Sequence, residues 1–196
     1  MKVWGTALIS AVVVVSLASC KKTEAERYVA YEKEQLRSGI HQDILFKGLY
    51  FGMSKKEFRE YCFDKNQEKE FWQGGRKNMA WVEAKLEGLT YPAAINFYPV
   101  FTNDTITEMK AAIYYDGDTT YKDGRFESDS LLLDVLNLVE DWYGGETFKI
   151  KSPVFYKEDV HVHLKGNCRI TINPDLGGQL VDLWFYDLNA KKKNEE

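Results

Sequence analysis

The chain has 196 residues, with 26 Lys and Arg against 30 Asp and Glu for a formal net charge of −4, and 14% of it is aromatic. That acidic balance argues against nucleic acid as a partner, because phosphate contacts need clustered cations, and against charge-driven adsorption to anionic lipid. The length suits one domain, or two small halves sharing one core, with enough apolar residues to fold without disulfide support.

The first segment, Met1–Cys20, has the three parts of an export signal: Lys2, the apolar run Ala7–Leu17, and the small residues Ser16–Ser19 before Cys20. The apolar run is shorter than the roughly 20 residues a spanning helix needs, and Lys21-Lys22 stops it. Leu17-Ala18-Ser19-Cys20 resembles the lipobox of bacterial lipoproteins. The resemblance implies cleavage after residue 19, diacylglycerol on the Cys20 sulfur and acylation of the new amine. Each buried chain CH₂ contributes about 0.8 kcal/mol, so several chains together make a durable anchor. The expected protein therefore sits in the cell envelope, held to the membrane by lipid at Cys20. Lys21-Lys22 do not read as an inner-membrane retention signal, which points to the outer membrane.

Residues 20–44 form the lipidated N-terminus and a helical arm. Thr23-Glu24-Ala25-Glu26 reads as a capping box opening a helix to Ser38, closed by Gly39. Its apolar positions, Ala25, Val29 and Leu36, make a thin stripe, as on a half-exposed arm. Asp43–Met53 reads as extended. Ser54-Lys55-Lys56-Glu57 is a second capping box, opening a helix with Phe58, Tyr61 and Cys62 on one face. Asn66–Gly75 is polar apart from Phe71-Trp72.

Three strands follow, joined by short polar connections as in an antiparallel meander. Met79–Leu86 sets Val82, Ala84 and Leu86 on one face against Trp81, Glu83 and Lys85 on the other. Ala93–Phe101 is apolar on both faces, and Pro99 demotes it to an edge strand or a bulge. Ile106–Tyr115 sends Met109, Ala111, Ile113 and Tyr115 inward and Glu108 and Lys110 outward. After the polar loop Asp116–Glu127, Leu131–Tyr143 is the clearest helix, with Ser128–Ser130 as its cap and Gly144-Gly145 as its stop. A second set of strands comprises Thr147–Lys151, Val154–Lys157, Asp159–Lys165, Asn167–Asn173 and Gln179–Leu188, with a tight hairpin at Gly166-Asn167. Residues 190–196 read as a charged, solvated tail.

The expected class is α+β, with helices packed on one face of an antiparallel meander sheet. The folded unit spans 45–189, with 45–117 and 118–189 as candidate halves of a tandem helix-plus-meander duplication. Trp72-Gln73-Gly74-Gly75 and Trp142-Tyr143-Gly144-Gly145 echo one another in support of the duplication.

Four groups of residues bear on chemistry. His161 and His163, at i and i+2 of a strand, share a face and present a candidate metal pair. Alternation with Val160, Val162 and Leu164 predicts the histidine side to be the solvent side, and His41 is the only other histidine. Asp116, Asp118 and Glu127 fall at positions 1, 3 and 12 of a calcium loop, but Tyr121 occupies the glycine position and a strand precedes it. That pattern favours a turn-rich connection. Cys62 and Cys168 are either a disulfide, in an oxidising compartment, or two buried thiols. Asp182 and Asp187 are carboxylates on an expected strand, Gln179–Leu188, whose Leu183-Trp184-Phe185-Tyr186 is aromatic on both faces and is either covered twice or a partner surface.

Phe51-Gly52-Met53-Ser54-Lys55-Lys56-Glu57-Phe58 resembles the helix opening of small envelope lipoproteins, among them a subunit of the outer-membrane barrel-assembly machine with a fold shared by β-lactamase-inhibitor-like domains. The resemblance implies helices on a meander, in single or tandem copy, and a binding role. There is no Gly-x-Ser-x-Gly elbow, phosphate-cradling loop or Cys–His arrangement. The reading is a lipid-anchored, non-catalytic binding or scaffolding domain for another envelope protein, with no cofactor. The alternative is an envelope hydrolase or metal-dependent enzyme built on carboxylates and His161/His163.

Overall fold

In the computed structural model the described residues are 22–74, 81–116, 128–151, 159–175 and 179–193. Cys20, Asp118, Glu127 and the expected strand Val154–Lys157 lie outside them. The elements are α1 (Glu24–Ser38), α2 (Lys55–Gln67), β1 (Phe71–Gly74), β2 (Trp81–Leu86), β3 (Ala93–Thr102), β4 (Thr105–Tyr115), α3 (Ser128–Tyr143), β5 (Glu146–Lys151), β6 (Asp159–Lys165), β7 (Cys168–Pro174), β8 (Val181–Asp187) and α4 (Leu188–Lys193). The class is α+β. The eight strands of the described residues join one antiparallel sheet in the order β1-β2-β3-β4-β8-β7-β6-β5. The order is a helix and a four-stranded meander, twice over, with the last strand of each meander meeting at the centre. The Trp-containing echo does not mark this repeat. Trp72 lies in β1, whereas Trp142 lies in the last turn of α3, so the two positions are not equivalent.

Both capping boxes form, with Thr23 Oγ1 and Ser54 Oγ each accepting from the backbone N–H three residues on, and Glu26 and Glu57 reaching back. Two hairpins are set by turn chemistry. Asn103 and Asp104 carry φ of 51° and 68° between β3 and β4, the left-handed pair of a type I′ turn. Gly166, with φ 56°, opens the β6–β7 turn; a Cβ there would come within 2.4 Å of the Ile40 carbonyl oxygen.

The inner face of the sheet carries the main core. Phe71, Ile95, Phe97, Met109, Ile113, Ile170, Ile172, Leu183 and Phe185 pack there beneath Phe58 of α2 and Leu131, Val135, Leu138 and Val139 of α3. The segment expected to be extended, Asp43–Met53, reverses instead at Lys47-Gly48 (φ 49° and 77°) and forms a single isolated bridge, Ile44–Tyr50. This loop buries Leu45, Phe46, Leu49, Phe51 and Met53. Phe46 sits 5.3 Å from the Phe97 ring and 5.5 Å from that of Phe185. Burial of apolar side chains outweighs strand geometry here, because a two-residue reversal lets residues on both sides of it enter the same core.

β3 is internal to the sheet, not an edge. Pro99 is tolerated because it lies beyond the last described β2 pair, Val82–Phe97, and the ladder is bulged at Val100-Phe101. The four-residue β1 was not anticipated: only Phe71-Trp72 breaks a polar stretch, and pairing with β2 makes it a strand. The tail begins as the short helix α4.

α2 and α3 cover the inner face, while α1 crosses to the outer face over β5 and β6. The face of α1 that packs is not the aliphatic stripe, since Val29 is 47% exposed. Tyr28 and Tyr31 instead meet Phe148 at 5.8 and 5.5 Å between ring centroids, and the Gly166 N–H donates to Gln35 Oε1 at 2.8 Å. The N-terminal helix thus locks onto the C-terminal meander.

Candidate functional site: the outer face of the sheet

The expected site residues are not brought together. His163 is 1% exposed, on the inner side of β6, opposite in direction to Val160 and Val162. The alternation predicts a solvent-facing histidine side, but β6 is covered twice: α1 lies over Val160 and Val162, and the end of α3 shields His163. Its Nε2 lies 2.7 Å from the Gly144 carbonyl oxygen and its Nδ1 2.8 Å from Thr147 Oγ1. A carbonyl only accepts, so Nε2 carries the proton and Nδ1 accepts from the threonine hydroxyl. Burial holds the His163 pKa below its usual value. Neither nitrogen is free for a metal. His161 points to the same face, its pKa lowered by burial and by Lys149. Among the described residues no cluster of three His, Cys, Asp or Glu side chains is spaced to hold a metal.

Cys62, on α2, and Cys168, in the core on β7, are free thiols. They belong to different halves, since α2 packs against β1 while β7 lies beyond the central β4–β8 pair. Burial pushes the Cys62 thiol up to about 11 and the Cys168 thiol further still, so neither offers a thiolate near neutrality. The two carboxylates of β8 point to opposite faces. Asp187 accepts from Asn167 Nδ2 at 2.9 Å and from the Asn189 N–H, while Asp43 accepts from the same Asn167 amide at 3.0 Å. Those bonds tie the arm to the ends of β7 and β8 and bring Asp43, rather than Asp182, beside Asp187, with the Asn167 amide between the two carboxylates. Asp116 follows the last residue of β4.

What converges is the outer face at the central seam. On β8, Leu183 and Phe185 point inward and Trp184 and Tyr186 outward, and the two outward rings stack at 4.8 Å and 27°. Across the seam Lys110 is the register partner of Trp184, and its Nζ lies 4.5 Å from the indole. On the other side Arg169 is the register partner of Tyr186, and its guanidinium lies 4.5 Å from that ring. The result is a four-layer ladder of cation, indole, phenol and cation. Glu108 Oε2 accepts from Trp184 Nε1 at 2.9 Å and fixes the indole in its plane. Each cation–π contact contributes about 0.5–1 kcal/mol where partly exposed.

The ladder borders a groove of about 540 Å³, floored by Val160 and Val162 and walled by Tyr28 and Trp81. This size falls within the range of ligand clefts. Tyr98 extends the surface, in register with Lys110 and Trp184 and 48% exposed. Burial raises Tyr28 and Tyr186 to about 12, so both stay neutral hydroxyls at physiological pH.

The sequence had flagged the aromatic run of β8 and the outward Lys110. It missed Arg169 and Tyr28, whose roles depend on the β7–β8 register and on α1 crossing the sheet. No protein-family model, curated protein or solved structure matches this chain.

Proposed function

We propose that this is a lipid-anchored cell-envelope protein whose sheet acts as a non-catalytic binding surface for another envelope protein. The observation that carries the reading is the asymmetry of the sheet. Helices bury one face, and the central seam of the other keeps an ordered Trp–Tyr–Lys–Arg surface beside a groove. Trp, Tyr and Arg dominate the energetics of protein interfaces, because a rigid ring gains contact area at little entropic cost. The enzyme alternative has no converging acid, base and nucleophile among the described residues to support it.

The anchor is assigned to lipid at Cys20, and no described helix is long and apolar enough to cross a membrane. A Cys20→Ala chain should fold and fractionate as soluble material; retention in the membrane pellet would refute the anchor. The binding reading is tested by cross-linked pull-down of the anchored protein from its native envelope. The same partner should be lost in a Trp184→Ala/Tyr186→Ala chain. Recovery of no partner, with turnover of an envelope substrate by the purified protein, would sink it.

A further inference from the structure

We infer that the outer-face groove recognises an acidic protein segment, one carboxylate side chain flanked by apolar residues, with Lys110 and Arg169 receiving the carboxylate. The inference rests on the binding reading above and names the chemistry of the partner.

The chain is acidic overall, at −4, yet the ladder bordering this groove ends in a cation on either side. Among the described residues neither cation is in an ion pair: the pairs on the sheet and helices are Arg27 with Glu24 and Glu146, Lys56 with Glu60, Lys65 with Glu68 and Glu70, and Lys149 and Lys151 with Asp159. Glu108, the nearest candidate in the register, is held by the Trp184 indole N–H instead. Asp182, the carboxylate of the described lining, has an interaction of its own. The Arg169 guanidinium faces the Tyr28 hydroxyl, which donates to Glu32, but makes no ion pair of its own with a described carboxylate. A guanidinium without a carboxylate partner is a charge-assisted donor for a bound one.

The rest of the groove selects for apolar matter. Ile150 and the indoles of Trp81 and Trp184 present its accessible apolar surface, above the nearly buried Val160 and Val162. An inorganic anion would leave those surfaces wet, whereas a carboxylate flanked by apolar side chains satisfies both. The spread of the same surface to Tyr98, across several strands, fits a polypeptide better than a compact molecule.

The test uses the full lipidated chain in detergent, presented to a library of random dodecapeptides. The probe is the library itself, with phosphatidylglycerol vesicles and inorganic phosphate as parallel arms. The expected result is enrichment of peptides with Asp or Glu next to aromatic or branched residues. Affinity should fall as salt rises and drop at least about tenfold in a Lys110→Gln/Arg169→Gln chain. Circular dichroism and urea midpoint should show that variant to be folded; Lys110→Gln and Arg169→Gln alone, each expected to weaken binding partially, serve if it is not. Enrichment without acidic residues, or unchanged binding in both single variants, overturns the inference while leaving the binding reading intact. Vesicle or phosphate binding without peptide enrichment overturns it too. Failure of the native-envelope pull-down, by contrast, falls on the binding reading itself.

Discussion

The two faces of strand β8 contrast residue by residue. Leu183 and Phe185 enter the inner core and are essentially inaccessible, while Trp184 and Tyr186, one step along the same strand, stack on each other under Lys110 and Arg169 with Trp184 still 37% exposed. All four side chains are large, but the outer two carry an N–H or O–H, and one pair holds the fold together while the other is held by it. Size and aromaticity alone therefore do not say which face of a central strand is structural. What decides is whether a helix lies over it: α2 and α3 cover the inner side, and α1 packs on the outer side at β5 and β6, with Tyr28 reaching towards Arg169 of β7.

The largest expected effect tests this contrast directly. Phe185→Ala should lower stability by about 3–5 kcal/mol through lost burial and a cavity. Trp184→Ala should cost about 1–2 kcal/mol, through one cation–π contact and one hydrogen bond. Urea denaturation of both variants measures the difference; equal losses would mean that the outer face is core. A second prediction concerns the doubly covered strand β6. His163 is neutral when folded and its pKa is lowered by burial, so the unfolded chain binds its proton first as pH falls. Stability should be full above about pH 6.5 and decline below it until the folded pKa is reached. His161, shifted in the same direction, adds to the slope. In His163→Gln the urea midpoint should become flatter between about pH 5 and 7; an unchanged slope would place His163 in water. The smallest effect is at the α2 capping box. Ser54→Ala should cost about 1 kcal/mol by orphaning the Glu57 N–H; a cost near zero would show that the helix end draws its stability from the inner face alone.

Much of the local structure was legible in the residues. The capping boxes at Thr23 and Ser54 and the inward set of β4 came through intact because each depends on neighbours within a few positions. β1 did not, because four residues hold too little pattern, nor did the 43–53 loop, whose apolar residues looked like a strand until Lys47-Gly48 turned them back on themselves. The histidines were placed on the wrong side for a related reason. Alternation separates two faces of a strand but does not say which is wet, and on β6 neither is.

The residues alone suffice for the first two helix starts, the Gly166-Asn167 hairpin and the α+β class, along with an aromatic strand and an outward lysine in the right places, because such features are written in short-range sterics and hydrogen bonding; the α3 start lies at Ser128, three residues before the expected Leu131. That the two meanders meet through β4 and β8, that α1 crosses to the far face, and that Arg169 lies on Tyr186 as Lys110 lies on Trp184 follow from the assembled sheet. The β4–β8 register alone joins residues as much as 78 positions apart, Glu108 with Tyr186. Register follows from the summed burial of a whole sheet, not from any segment of it.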